Sequence, residues 1–319
     1  MKPAVLSKSV WHQFQAYKLE NDLVSIEIVP ELGAKIVSIF DKTQQFEWLV
    51  PPSDEVIKTE FGMLFTDQNM CGWDEMLPTI VACDWNGFHF PDHGSVWSVP
   101  WETIEKDHSI ENLVTMQPLC CRFGREISLS GSTVSLKYML RNESELQCPW
   151  LWAAHPQFTA TPESRVLFPE SVTHIINVTE DDPVLGAAGS LHRWPRANES
   201  DDKPLDRLWN PESKSCRKIY LQPEQPANYA QITQGQAGSS LKMSWDSKQT
   251  PYLGLWIDEK TYNKIPTIAI EPSNGFYDSL TTAIKNNRAA VISPGETVFW
   301  EIHIKLSSQN DMNTGRRNE

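Results

Sequence analysis

The sequence predicts an all-β fold on three observations. Runs in which apolar and polar residues alternate recur along the chain, with the period of a half-buried strand. Each run is bounded by Gly, Pro, Asn or Asp, the residues that end strands in turns. No long stretch carries apolar residues at helical spacing. Many short strands with frequent turns give a sandwich or barrel rather than alternating β/α units. No repeat of fixed period is visible, which argues against a propeller.

The elements follow in order. "LVSIEIVPEL" (23–32) alternates and then turns at Gly33, and "AKIVSIF" (34–40) resumes and ends at Asp41. "STVSLKYMLRN" (132–142), "SLKMSWD" (240–246) and "TVFWEIHIKL" (297–306) repeat the pattern, with "GSTV" and "SPGETV" as turn signals. Residues 190–217 break it, being polar and proline-bearing yet holding Trp194 and Trp209. A connection of this length inside a domain is usually a lid or disordered, and its tryptophans favour a loop lying over a cleft. A single domain over residues 1–306 is expected, since sandwiches of this size occur as one unit. The polar residues 307–319 then form a flexible tail.

Hydrophobic residues make up 40% of the chain and charged residues 22%, enough to bury a sizeable core. The net charge of -13 argues against a nucleic-acid partner, which needs clustered Lys and Arg, and would repel anionic membranes. No apolar run approaches the roughly 20 residues of a membrane helix. The opening "MKPAVLSKSVWHQFQAYKLE" lacks the continuous apolar region of a signal peptide. The six cysteines form no C-x-x-C pair, so reduced thiols in the cytoplasm are the simplest expectation. The 13 tryptophans can fill a core, but their flat faces also suit sugar rings.

"WLWAAHPQF" (150–158) runs apolar residues into His155, followed at once by Pro156. Burying an imidazole costs free energy unless its nitrogens find partners, and proline supplies no backbone donor. His155 is therefore either a satisfied core histidine or aimed into a cavity that needs a proton. "PTIAIEPSNGFYDSL" (266–280) repeats the design, with Glu271 closing an apolar run before Pro272. A carboxylate there is costly unless paired, hydrogen-bonded or functional. One His and one Glu facing a common cleft could act as acid and base.

Two further stretches gather polar groups amid apolar ones: "NMCGWDEMLPTI" (69–80) and "PDHGSVWSVPW" (91–101), where His93-Gly94 marks a tight turn. His89 and His93 have the spacing of a helical metal pair, but Pro91 opposes a helix and no second cluster supplies ligands. No metal site is expected. Neither a G-x-S-x-G elbow nor a P-loop is present. Asp74 and Glu271 could form a glycosidase pair, an arrangement that leaves His155 and His93 without roles.

Taken in order, "NDLVSIEIVPELGAKIVSIFD", "GWDEMLP", "HGSVW", "AAHPQF", "GLWID" and "IAIEP" resemble the aldose 1-epimerase (galactose mutarotase-like) superfamily. The likeness runs from about residue 20 to 305. It implies a β-supersandwich, with large antiparallel sheets and a sugar cleft on one concave face. It also implies cofactor-free interconversion of the α and β anomers of an aldose. In that chemistry the histidine of "HP", here His155, gives a proton to the ring oxygen. The glutamate of "EP", here Glu271, takes one from the anomeric hydroxyl. The C1–O5 bond breaks, the aldehyde rotates, and reclosure reverses the transfers. His93 would bind the ring-oxygen side, and further substrate contacts are expected from Asp74, Glu75, Trp73, Trp97 and Asp258. Trp152 and Trp256 could equally be core.

This sequence departs from the family in places. The galactose mutarotase branch carries an early Asn-Arg pair and an "NHGYFN"-type motif, and neither occurs here. The hexose-6-phosphate branch has phosphate-binding arginines at two positions that Met70 and Trp97 occupy here. Phosphate contacts need a guanidinium or a fixed cation, so a neutral sugar is expected unless Arg122 or Arg125 reaches the cleft. The expected partner is a small sugar, with neither nucleic acid nor membrane, and the protein a monomer or homodimer. The alternatives are a non-catalytic sugar-binding or sensing protein of this fold, or a carbohydrate hydrolase or lyase using Asp74 and Glu271.

Overall fold

The computed structural model describes residues 3–197, 203–210, 212–235 and 238–308. Among these, regular structure is antiparallel sheet apart from two 3-10 turns and one short helix, Leu280–Lys285, capped by Ser279. The alternating runs are strands as expected: Lys35–Asp41, Thr133–Asn142, Ser239–Trp245 and Thr297–Ser307. "LVSIEIVPEL" is shorter than expected. Its strand is Val24–Val29, after which Pro30–Leu32 form a 3-10 turn, because proline fixes φ and cannot donate to a ladder. The tail beyond residue 308 lies outside the described residues.

Two large sheets share one core. The 12-stranded sheet has at its centre the order Lys35–Asp41, Trp73–Met76, Ala153–Thr159, Thr267–Ser273, Tyr252–Glu259, Ser215–Leu221. The eight-stranded sheet is centred on Ser239–Trp245, Thr297–Ser307, Thr133–Asn142 and Cys121–Ser130. Side chains alternate across a strand, so each of these strands sends one set into the shared interior. Ile36, Ile219, Leu255 and Ile270 from the first sheet join Leu136, Leu140, Ile302 and Ile304 from the second in one apolar cluster. The other face of the large sheet, left free by this packing, carries the cavity described next.

One polar group crosses the interior. Glu75 accepts hydrogen bonds from Arg125 Nη1 (2.7 Å), Tyr138 Oη (3.0 Å) and Trp152 Nε1 (2.8 Å). Arg125 and Tyr138 belong to the smaller sheet and Glu75 to the larger one. A buried carboxylate is tolerated here because three donors meet it.

Candidate functional site

Ala153–Thr159 lies between Trp73–Met76 and Thr267–Ser273, and His155 is paired directly with Asp74. The pairs Ala153–Ser273 and Gln157–Ala269 bring Glu271 opposite His155 on the other side. Pro156 and Pro272 each follow an ionisable residue and remove a ladder donor in mid-sheet, where proline is rare. The rung continues from Glu271 to Gly254 and from Gly254 to Tyr220. Residues on one rung share a face, so His155 and Glu271 meet because both run in register across the sheet centre.

A cavity of about 420 Å³ opens over this rung, lined by His155, Glu271 and His93 together with Lys218, Trp256 and Asp278. His155 Nε2 lies 3.9 Å from Glu271 Oε1. Lys218 Nζ lies 2.7 Å from Glu271 Oε2 and 3.1 Å from Asp278 Oδ1, and the Tyr220 hydroxyl donates to that same Asp278 oxygen at 2.8 Å. Gly254 leaves room for this cluster, since a Cβ there would sit 3.2 Å from both Glu271 Oε2 and Tyr220 Cζ.

His93 comes from the expected turn. His93 and Gly94 both have positive φ, 59° and 79°, and the Gly94 amide donates to the Pro91 carbonyl at 2.9 Å. A Cβ on Gly94 would sit 2.1 Å from the Leu77 carbonyl oxygen, so only glycine fits there. The His93 ring stacks on Phe65 at 4.0 Å, bonds Asp92 Oδ1 through Nδ1 at 2.9 Å, and stands 5.4 Å from the His155 ring.

The cavity's electrostatics follow from burial and charge. Burial, with His93, Lys218 and Lys35 adding to it, holds the His155 imidazole well below its ordinary value, so it is uncharged near neutrality. Burial raises the Glu271 carboxyl while Lys218 opposes the shift. Burial alone would lower Lys218, but Asp278 and Glu271 outweigh it and keep the ammonium protonated. For Asp92 burial works upward, yet hydrogen bonds from His93 and the Phe65 amide hold it below the usual carboxylate range. An ionised Glu271 held against a fixed cation can take a proton from a bound hydroxyl, and His155 can give one to an ether oxygen in its protonated form, which burial makes the minor one near neutrality.

The other sequence candidates are placed differently. Asp74 shares the His155 face but is fully buried, paired with Lys35 Nζ at 2.9 Å. Trp73 and Glu75, its neighbours, point into the core by strand alternation. Trp97 lies beneath the cavity, edge-on to Phe65, its Nε1 donating to the Asp92 carbonyl at 3.0 Å. Asp258 is buried and accepts from the amides of Thr261, Tyr262 and Asn263, so it shapes the loop that presents Tyr262. None of Asp74, Trp73, Glu75, Trp97 and Asp258 lines the cavity, so of the residues expected to bind substrate only His93 does.

Sequence reasoning passed over Lys218, Asp278 and Asp92. Alternation along Ser215–Leu221 could have flagged Lys218, since Arg217 and Ile219 on either side are buried. Its partners come from other strands and loops, which no local pattern shows.

Of the described residues of the 190–217 segment, only Cys216, on the strand Ser215–Leu221, lines the cavity. Leu205 and Leu208 are buried in the common core, and Trp209 packs 4.0 Å beneath the Arg217 guanidinium. Glu259 accepts the Trp209 and Asn210 amides, fixing the segment to the inward-facing side of the sheet. Residues 198–202 and 211 lie outside the described residues. His89 bonds Asp84 on a separate hairpin, and no group of three metal-ligating side chains is found among the described residues. Among the described residues, no helix is long and apolar enough to cross a membrane.

No protein-family profile and no curated protein matches the chain, but solved structures do. A suggested aldose 1-epimerase from Klebsiella pneumoniae aligns with a TM-score of 0.76 at 16% identity, covering 97% of this chain and 85% of that one. A galactose mutarotase-like protein from Clostridium acetobutylicum aligns at 0.70 and 13% identity over 97% and 100% of the two chains. Another, from Lactobacillus casei, aligns at 0.69 and 16% identity over 92% and 100%. With whole-chain overlap on two stacked antiparallel sheets, the chain has the galactose mutarotase-like fold.

Proposed function

We propose that this protein is an aldose 1-epimerase acting on an unphosphorylated aldose, with His155 as proton donor and Glu271 as base. The observation that carries this reading is the meeting of His155 and Glu271, 3.9 Å apart on one rung, in a cavity they share with His93. Glu271, ionised, takes the proton from the anomeric hydroxyl as His155, in its protonated form, gives one to the ring oxygen and becomes neutral. The C1–O5 bond breaks, C1 becomes an aldehyde, and rotation about C1–C2 exposes its other face. Reclosure returns both protons and leaves the other anomer.

Lys218 favours the ionised form of Glu271 by its charge at 2.7 Å. It is no nucleophile toward the aldehyde, because two carboxylates hold it protonated. Acid and base groups of this kind contribute about 100- to 10,000-fold each, and positioning adds to that.

The neutral-sugar reading draws support from charge. Among the described cavity-lining residues, Asp92, Glu271 and Asp278 face a single Lys218, itself engaged by two of them. Arg125 is held in the core by Glu75, and Arg122 pairs with Glu102 at the surface. A phosphate would meet carboxylates without a free guanidinium.

The test is anomer exchange followed by NMR on neutral aldoses and hexose 6-phosphates, in wild type, His155→Ala and Glu271→Gln. Wild type is expected to accelerate exchange of a neutral aldose, and each variant to lose at least about 100-fold of it. Exchange with phosphorylated sugars only would overturn the substrate class, and none with any sugar would overturn the activity.

A further inference from the structure

A larger cavity, of about 660 Å³, opens where the two sheets meet, and among the described residues it has no lining in common with the catalytic one. Its size falls within the ~300–1,000 Å³ usual for small-molecule sites. One wall comes from the large sheet, at Val24, Asp41 and the turn of Thr43 and Gln44. The facing wall comes from the eight-stranded sheet and carries Lys242 and Lys305.

The walls are bonded to each other. Asn21 Nδ2 donates to the Gly131 carbonyl at 2.8 Å, and Ser239 Oγ donates to Gln44 Oε1 at 3.3 Å, both linking turns of the large sheet to the small one. The Ser240 and Ser307 hydroxyls bond at 2.8 Å, and the Leu306 amide donates to the Ser132 carbonyl at 3.0 Å. Walls fixed before a ligand arrives spare it the cost of ordering them.

The charges in this cavity are unusual. Lys242 and Lys305 are paired directly on neighbouring strands, a position in which like charges repel. The chain has 41 acidic residues against 28 basic ones, yet among the described residues neither lysine has an ion-pair partner. Lys242 instead lies over the Tyr229 ring, its Nζ 3.9 Å from the centroid. The single carboxylate of the described lining, Asp41, is buried, and its Oδ1 accepts from the Thr43 amide and hydroxyl and the Gln44 amide at 2.9, 2.7 and 3.1 Å. The catalytic cavity is the reverse, with three carboxylates facing one lysine. Salt screens the distant charges of the acidic surface beyond ~8 Å, so the two ammonium groups set the local field.

Two adjacent ammonium groups match a doubly charged oxyanion. Gln231, paired with Lys242, and Ser132, next to the Thr133 that pairs with Lys305, add neutral hydrogen-bonding groups on either side. The cavity is larger than a bare oxyanion fills, so the anion carries a polar body. We propose that this cavity binds a phosphate monoester, its phosphoryl group between Lys242 and Lys305 and its hydroxylated body against Gln231 and Ser132. The site is independent of the epimerase reading and gives the protein a second, non-catalytic ligand.

The experiment titrates the full chain by calorimetry with inorganic phosphate, glycerol 3-phosphate and glucose 1-phosphate, with glycerol and glucose as uncharged controls. Neither ester has a free anomeric hydroxyl, so neither can react in the catalytic cavity. The proteins are wild type, Lys242→Gln, Lys305→Gln, the double variant, and Lys218→Met, which removes the lysine of the catalytic cavity. Lys242 and Lys305 alternate with buried Leu241, Met243, Ile304 and Leu306 and so point away from the core, and melting curves check that the variants fold.

At least one ester is expected to bind wild type about tenfold more tightly than inorganic phosphate, and the double variant to lose about tenfold or more of that affinity. Each single variant is expected to lose part of it, which decides the matter if the double variant does not fold. Lys218→Met is expected to bind as wild type does. Binding of no ester, an affinity that survives loss of both lysines, or one that disappears in Lys218→Met overturns the site. Equal affinity for inorganic phosphate and both esters would show an adventitious ion only and overturns it as well.

Discussion

Lys218 lies 2.7 Å from Glu271 and 3.1 Å from Asp278, so its charge is shared between a proposed base and a neighbouring acid. Removing it takes away the main charge that opposes burial at the Glu271 carboxyl. A base must be ionised, so the acid limb of the pH–rate profile in Lys218→Met is expected to move to higher pH, with kcat at neutrality reduced. A limb that stays in place would show that Lys218 does not act through Glu271. His155 predicts a stability effect of known sign. Its folded value lies well below the 6.5 of an ordinary histidine, so as pH falls below about 6.5 the unfolded chain takes up a proton that the folded chain refuses. That contribution is present above the unfolded value and is lost as pH falls toward the folded one. Urea unfolding of wild type against His155→Gln between pH 7.5 and 5 is expected to show a smaller loss of stability in the variant.

At the scale of elements, the site is a rung through the centre of a sheet, and each strand supplies what alternation permits. "GWDEM" shows the rule: Asp74 shares the His155 face, while Trp73 and Glu75 on the same strand must face the core. Treating those residues as one motif missed this, although the period of two is visible in the sequence. Gly254 is the element-level device that lets Tyr252–Glu259 pass beside the cluster. It has no positive φ that would strain another residue, so Gly254→Ala tests space alone. The added Cβ, 3.2 Å from Glu271 Oε2, is expected to shift the carboxylate by a few tenths of an ångström. Activity should fall by about tenfold, given how steeply rates depend on positioning, with thermal unfolding little changed. NMR exchange and a melting curve on the same sample would check both.

For the whole molecule, the polar joint between the sheets is as telling as the apolar core. Arg125 and Glu75 are both fully buried and bonded at 2.7 Å, and Arg125→Met would leave a carboxylate uncompensated. A loss of about 3–5 kcal/mol in urea unfolding is expected, whereas Arg122→Met, at an exposed pair with Glu102, should cost no more than about 1 kcal/mol. Alternation and turn residues by themselves determined the all-β class and the positions of five of its strands, because strand period and chain reversal are local properties of the backbone. The two unusual endings, His155-Pro156 and Glu271-Pro272, were legible for the same reason: an ionisable group and a proline each break a local rule. Which candidates share a cavity was decided only by tertiary structure. Register across five strands brings His155 opposite Glu271, sends Trp73 and Glu75 inward and delivers Lys218, while Asp278 comes from the loop after Thr267–Ser273. Strand pairing between residues 116 positions apart (271 minus 155) leaves no trace in either strand's own sequence.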